Sequence, residues 1–208
     1  MQNALGNRKN VEEMMERRNG ARRFLWLLAF GVLTQAYAPV ASATNWKIDP
    51  ARTHIAFAVD AVGYPRTHGE FRRFDGRISV DFDHPNKSKV VFHVESKSVD
   101  VGSSAFDDYL RSAVFLDVDR FPTIAFVSNS VEKIDDHTVR VSGDLTLLGV
   151  TKPLTVNVAV RRETGGGSAR LGFLAATSIN RLDFGMTSGS PLVSRDIELV
   201  ISSEAVEL

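Results

Sequence analysis

GDLTLLGVTKPLTVNV, residues 143–158, reads as two strand-like runs joined by a turn around Gly149. Leu145 and Leu147 fall on one side of the first run, and Leu154, Val156, Val158 and Val160 continue a similar stripe after the turn. A period of two is the mark of a half-buried strand, because successive side chains point to opposite faces. A link this short joins antiparallel strands, since a parallel crossover needs a dozen residues or more. The stretch predicts a hairpin with one apolar face, and the fold turns on what that face is buried against.

The same period runs outward in both directions. In THIAFAVDAV, residues 53–62, Ile55, Phe57, Val59 and Ala61 oppose His54, Ala56, Ala58 and Asp60. In GRISVDFD, residues 76–83, Ile78, Val80 and Phe82 oppose Arg77, Ser79, Asp81 and Asp83. Further runs at 89–98, 123–133, 138–147, 154–162, 170–179 and 194–202 bring the total to about eight strands. Turn signals between them include Asp75-Gly76, His84-Pro85-Asn86, Asp135-Asp136 and Gly165-Gly166-Gly167. One segment breaks the period. In SSAFDDYLRSAVFL, residues 103–116, Phe106, Leu110 and Val114 recur at helical spacing, Ser104 and Asp107 are spaced as a capping box, and Asp107 and Arg111 as an i, i+4 pair. A short helix over about 105–114 is expected across one end or side of the sheet. Eight antiparallel strands of about nine residues close into a barrel and leave no exposed edge. At that strand number the interior either fills with side chains or holds one small ligand, and composition alone does not separate the two.

With 208 residues, 43% hydrophobic and 24% charged, the chain fits one globular domain with no internal repeat. Its formal charge of zero is unevenly divided: residues 1–43 hold six basic and three acidic side chains, which leaves the remainder at about −3. That balance argues against nucleic acid as a partner. Segment 1–43 reads as a cleaved signal peptide. Arg17, Arg18, Arg22 and Arg23 precede an apolar run from Phe24 to Leu33, and ASA at 41–43 offers small residues for cleavage after Ala43. The run is shorter than the roughly 20 residues that span a bilayer. ARRFLWLL resembles a twin-arginine signal with an incomplete consensus, so that route and the Sec route both stay open. Either delivers residues 44–208 as an exported domain, periplasmic in a Gram-negative cell. The chain has no cysteine, so the fold stands on its apolar core without disulfides.

Catalytic chemistry finds no foothold. There is no G-x-S-x-G, H-E-x-x-H, P-loop or dinucleotide fingerprint, and no thiol nucleophile. His54, His68, His84, His93 and His137 lie on separate expected elements or turns with no i, i+4 pair, so no metal site is expected. Asp107 and Asp108, adjacent on a helix, point about 100° apart and suit capping and ion pairing rather than acid–base work.

The order of WKID, GEFRRFDGRI, FDDYLRSAVFLD, FPTIAFVS, GDLTLLGVTKPL and INRLDFGM resembles the YceI-like family of periplasmic polyisoprenoid-binding proteins, from Trp46 to the C-terminus. The resemblance implies an extended, lipocalin-like antiparallel β-barrel around an apolar channel, and a long isoprenoid chain with a polar head as ligand. It makes GVTKP a structural turn. Gly69, Phe71, Phe74 and Gly76 match the family's Gly-x-Phe and Phe-x-Gly pattern, Gly143, Leu145, Thr146, Gly149, Thr151, Lys152 and Pro153 its G-x-L-T and G-x-T-K-P signature, and Arg181, Asp183, Phe184 and Gly185 its R-x-D-F-G. The family's helical motif is kept at Asp107, Leu110, Ser112, Phe115 and Asp117 but altered at Phe106, Tyr109, Val114 and Leu116. Arg52 and Thr53 stand for its usual His-Ser, and Ala61 for a further His.

The resulting expectation is a non-catalytic carrier of an amphiphilic isoprenoid, quinone-like or prenyl-alcohol, with no other cofactor. Transient membrane contact is possible on this reading, and the oligomeric state is open. The rival is a packed, ligand-free barrel acting as an interaction or stress-protective module. The expected channel wall comprises Ile55, Phe57, Val59, Phe71, Phe92, Phe106, Leu110, Phe115, Phe126, Leu145, Leu147 and Phe173. Arg52, Tyr109, Arg181 and Asp183 are headgroup candidates, with an Arg181–Asp183 ion pair as the alternative for the last two.

Overall fold

The computed structural model describes residues 43–163 and 169–208. The expected signal peptide up to residue 42, and the Gly165-Gly166-Gly167 turn, lie outside the described residues. The described residues form eleven strands: β1 Thr44–Ile48, β2 His54–Val59, β3 Thr67–Phe71, β4 Phe74–Val80, β5 Lys89–Glu95, β6 Val99–Asp100, β7 Thr123–Lys133, β8 Thr138–Leu147, β9 Val150–Glu163, β10 Arg170–Asn180 and β11 Asp196–Glu207. Among the described residues one α-helix, α1, spans Ser104–Arg111.

Eight of the strands close into an antiparallel barrel in the order β1-β4-β5-β7-β8-β9-β10-β11, with β11 pairing back onto β1. The other three continue strands of the ring past a bend. A 3-10 turn at Pro50–Arg52, capped by Asp49 accepting the Ala51 N–H at 3.0 Å, joins β1 to β2. β11 then serves both in succession, pairing Ala205–Glu207 with β1 and Glu198–Ser202 with β2. In the same way β3 leads into β4, and β5 into β6 through a second 3-10 turn at Ser96–Ser98. Beyond the two residues of β6 the wall is carried by α1 and the chain after it. Leu110, Phe115 and Leu116 there pack with Val99, Leu145 and Leu147.

The opening stretch forms the hairpin expected of it. Leu147 pairs with Val150 across a two-residue turn in which Leu148 has φ 52° and Gly149 φ 73°, the type I′ geometry that matches strand twist. A Cβ on Gly149 would stand 2.7 Å from Cε1 of Phe121, so both the backbone and the neighbour require glycine. In such a hairpin the residues flanking the turn exchange hydrogen bonds, and the pattern alternates thereafter. Pro153, opposite Asp144, therefore has its ring nitrogen facing away from β8. On that side the ladder between β9 and β10 stops at Val158–Ala175, so the missing N–H breaks no bond.

Several local expectations change. Asp75-Gly76 is not a turn but part of β4, where Gly76 lies opposite Phe92 and an added Cβ would meet that ring at 2.8 Å. The run 89–98 is broken by the turn before β6. α1 begins one residue earlier and ends three earlier than expected. Ser103 is its N-cap and makes no side-chain cap, so the capping box is absent. Asp107 instead accepts the Val101 N–H at 2.8 Å, and Arg111 reaches Asp107 at 3.9 Å and Asp108 at 3.1 Å.

Candidate functional site

Inward positions of the ring enclose a cavity of about 640 Å³, in the range of small-ligand sites. Its wall takes alternate residues along the strands, among them Leu154, Val156, Val158 and Val160 of β9 and Ile197, Leu199 and Ile201 of β11. Ile55, Phe57, Val59, Phe71, Phe92, Leu110, Phe115, Phe126, Leu145, Leu147 and Phe173 all lie on this wall. Phe106 does not line the cavity: it is 36% exposed and stacks on Tyr109 with ring centroids 6.3 Å apart. The eight-residue helix has only one narrow face toward the barrel, and Leu110 occupies it.

The cavity is closed at one end and open at the other. At the helix end Leu110, Phe115, Leu116, Arg181, Met186 and Val193 line it, and all are buried or half-buried. The exposed lining residues, Phe82, Lys133, Asp135, Asp136, His137, Arg161 and Arg162, belong to the opposite rim, after β4, around the β7–β8 turn and at the end of β9. Two carboxylates pin the turns of this mouth. Asp81 accepts the His84 N–H at 2.7 Å and the Asp83 N–H at 3.1 Å, while Ser88 Oγ accepts the Asp81 N–H at 3.0 Å. The backbone bond from His84, reinforced by the nearby His84 ring and the Asp83 amide, holds the Asp81 carboxyl below the usual carboxylate range. Asp135 accepts the His137 N–H at 2.8 Å and is lowered chiefly by that bond.

The four headgroup candidates stand apart from any common site. Arg52 is exposed and pairs with Glu204 at 3.1 Å, outside the cavity. Tyr109 is 49% exposed, its ring edge-on to Phe115 at 5.1 Å. Asp183 is exposed on the 3-10 turn Arg181–Phe184 and makes no ion pair with Arg181. Arg181 reaches the cavity wall but spends its guanidinium on backbone: Nε donates to Ser194 O, Nη1 to Met186 O and Ser188 O, and Nη2 to Val193 O. Burial pushes its pKa down. It is a clamp on the segment between β10 and β11.

The mouth residues that the sequence reading passed over were signalled by parity. Phe82 follows Ile78 and Val80 on the inward face, and Arg162 follows Val158 and Val160. The guanidinium carbon of Arg162 lies 4.8 Å from the centroid of the Phe82 ring.

A closed eight-stranded barrel with an apolar cavity open at one rim is a lipocalin-like architecture. Residues 46–205 match the family model of the YceI-like domain, and the chain belongs to that family. Protein YceI of Salmonella arizonae is 37% identical over 171 residues, covering 80% of this chain and 89% of that protein. Among solved structures, Campylobacter jejuni YCEI protein has a TM-score of 0.61 at 28% identity, covering 67% of this chain and 84% of its own. BcnA of Burkholderia cenocepacia has a TM-score of 0.67 at 20% identity, covering 76% and 98%. A polyisoprenoid-binding domain from Saccharophagus degradans, implicated in plant cell wall breakdown, has a TM-score of 0.64 at 12% identity, covering 80% and 99%. The last two likenesses concern the fold alone.

Proposed function

We propose that this protein is a non-catalytic carrier that holds an amphiphilic polyisoprenoid, quinone-like or prenyl-alcohol, in its barrel and shields the chain from water in the periplasm. The observation that carries the reading is the apolar cavity of about 640 Å³ with an exposed rim among the described residues. A ligand-free, packed barrel gives no reason for such a space, since protein interiors pack to crystal-like density with few large voids. The polyisoprenoid-binding domain that shares this fold supports the choice of ligand class. Burial of apolar surface at about 25 cal/mol per Å² gives each prenyl unit a favourable contribution before the costs of ordering it. The same driving force makes the ligand's length, rather than any one contact, the main determinant of affinity.

Native mass spectrometry of purified mature protein, followed by organic extraction, tests this. A reproducible added mass that extracts as an isoprenoid is expected. Apo mass throughout, with no uptake of offered quinones or prenols, overturns the carrier and favours an interaction module. Intact mass of periplasmic material should place the N-terminus at Thr44; retention of residues 24–33 would contradict cleavage.

A further inference from the structure

The charged groups of the mouth are not equivalent. Lys133 and Asp136 pair at 2.6 Å. Asp135 and Asp81 are each held by backbone amides of their own turns. Arg162 differs. It is a cation on the inward face of β9 at the level where the wall ends, its partner is the ring of Phe82 rather than a carboxylate, and no carboxylate among the described residues lies within ion-pair distance of it. Phe82 is 44% exposed, so the pair forms a platform facing both the channel and solvent.

A guanidinium laid over an aromatic ring keeps its plane fixed and its edge donors open, and it is more weakly hydrated than an ammonium. Two parallel N–H groups on that edge match an oxyanion, which takes both at once and neutralises the charge. A hydroxyl or a quinone oxygen would engage the donors without neutralising anything. The exposed setting keeps the cation hydrated when the site is empty, so an unmatched charge costs little in the apo protein.

We propose that the mouth binds the anionic head of an amphiphile, a phosphate or carboxylate seated on Arg162 over Phe82, with the apolar tail running down the channel. The proposal rests on the carrier reading for the tail and goes beyond it for the head. It also moves the head to the rim opposite α1, away from Tyr109, Arg181 and Asp183.

The test compares farnesyl phosphate, farnesol and inorganic phosphate by calorimetric titration of delipidated wild type, Arg162→Gln and Arg162→Lys, with melting temperature as the check on folding. Wild type should prefer farnesyl phosphate to farnesol by about tenfold or more, the scale of one charge-assisted pair. Arg162→Gln should lose that preference while its farnesol affinity stays within about twofold, and Arg162→Lys should keep part of it because the charge remains but the fork does not. Added sodium chloride should erode only the phosphate preference. Equal affinity of wild type for farnesyl phosphate and farnesol, or a preference unchanged in Arg162→Gln, overturns the head site and leaves the carrier standing. Inorganic phosphate binding as tightly as farnesyl phosphate overturns it as well, since the site would then ignore the tail. Failure of all three to bind removes the carrier reading and this proposal together.

Discussion

The guanidinium of Arg181, 1% exposed and donating to four backbone carbonyls, stands where the sequence allowed either an ion pair or a ligand contact. Its acceptors lie 5 to 13 residues downstream in an irregular segment, and no periodicity connects them to it. Arg181→Met should leave several buried carbonyls unpaired and, at about 1–3 kcal/mol for each such group, cost on the order of 3 kcal/mol or more by urea denaturation, with the barrel's far-ultraviolet spectrum retained. A loss below about 1 kcal/mol would show that the segment is held by other means. Asp81 makes a prediction that depends on pH. Its carboxyl is held below its ordinary value of 3.8 by the amides of His84 and Asp83, so the charged form is favoured by folding. The contribution is complete above the unfolded pKa and is lost as pH falls through the folded one. Asp81→Asn, which resembles the protonated carboxyl, should therefore melt below wild type at pH 7, and the gap should close on acidification below 3.8. A gap of constant size from neutral to acid pH would place the effect in packing rather than charge.

At the scale of the element, the hairpin of β8 and β9 shows how far local chemistry reaches. Its turn, its apolar stripe and its register follow from Gly149 and the period of two, and all of it was legible in sixteen residues. What was not legible is that the next ladder is incomplete: β9 meets β10 only at Val158 and beyond, a consequence of ring closure. The alternation then sorts the amides of β9. Those of Val150, Lys152, Leu154 and Val156 face β8, while those of Thr151, Thr155 and Asn157 face the unpaired side, where Pro153 has no amide to offer. Amide exchange followed by NMR should show the first group protected and the second exchanging early; uniform protection along β9 would mean that the ladder extends further. Gly149→Val should cost about 1–3 kcal/mol, since a branched residue is forced to positive φ, and its ring neighbour Phe121 must also shift. Shorter elements were hidden for a related reason. β3 and β6, of five and two residues, have little period of their own and exist because β2 and the bend before β4 place partners beside them.

For the whole molecule, the question is whether the apolar faces meet or stand apart. Eleven of the twelve wall residues named from the sequence line the cavity, and on the strands their spacing follows the alternation of inward and outward residues in a barrel. That alternation could not give the separation across the barrel, which depends on how eight strands close, nor which rim stays open, which depends on where α1 and the segment after β10 fold over. Phe106 fell outside for the same reason: helical spacing places it near Leu110, but of the helix Leu110 lines the cavity while Phe106 stacks outside on Tyr109. These placements give a matched pair of variants. Leu147→Trp adds volume at a residue on the cavity wall, 5% exposed, whereas Phe106→Trp adds it at a residue outside. If the space is hollow, Leu147→Trp fills part of it, weakening farnesol binding by about tenfold or more while the melting temperature stays within a few degrees, and Phe106→Trp changes neither. A solid interior would answer the added volume at position 147 with about 1–3 kcal/mol of lost stability and no change in a binding that was never there. Calorimetry and thermal melts on the two variants separate these outcomes, because the hollow barrel loses ligand and the packed one loses stability.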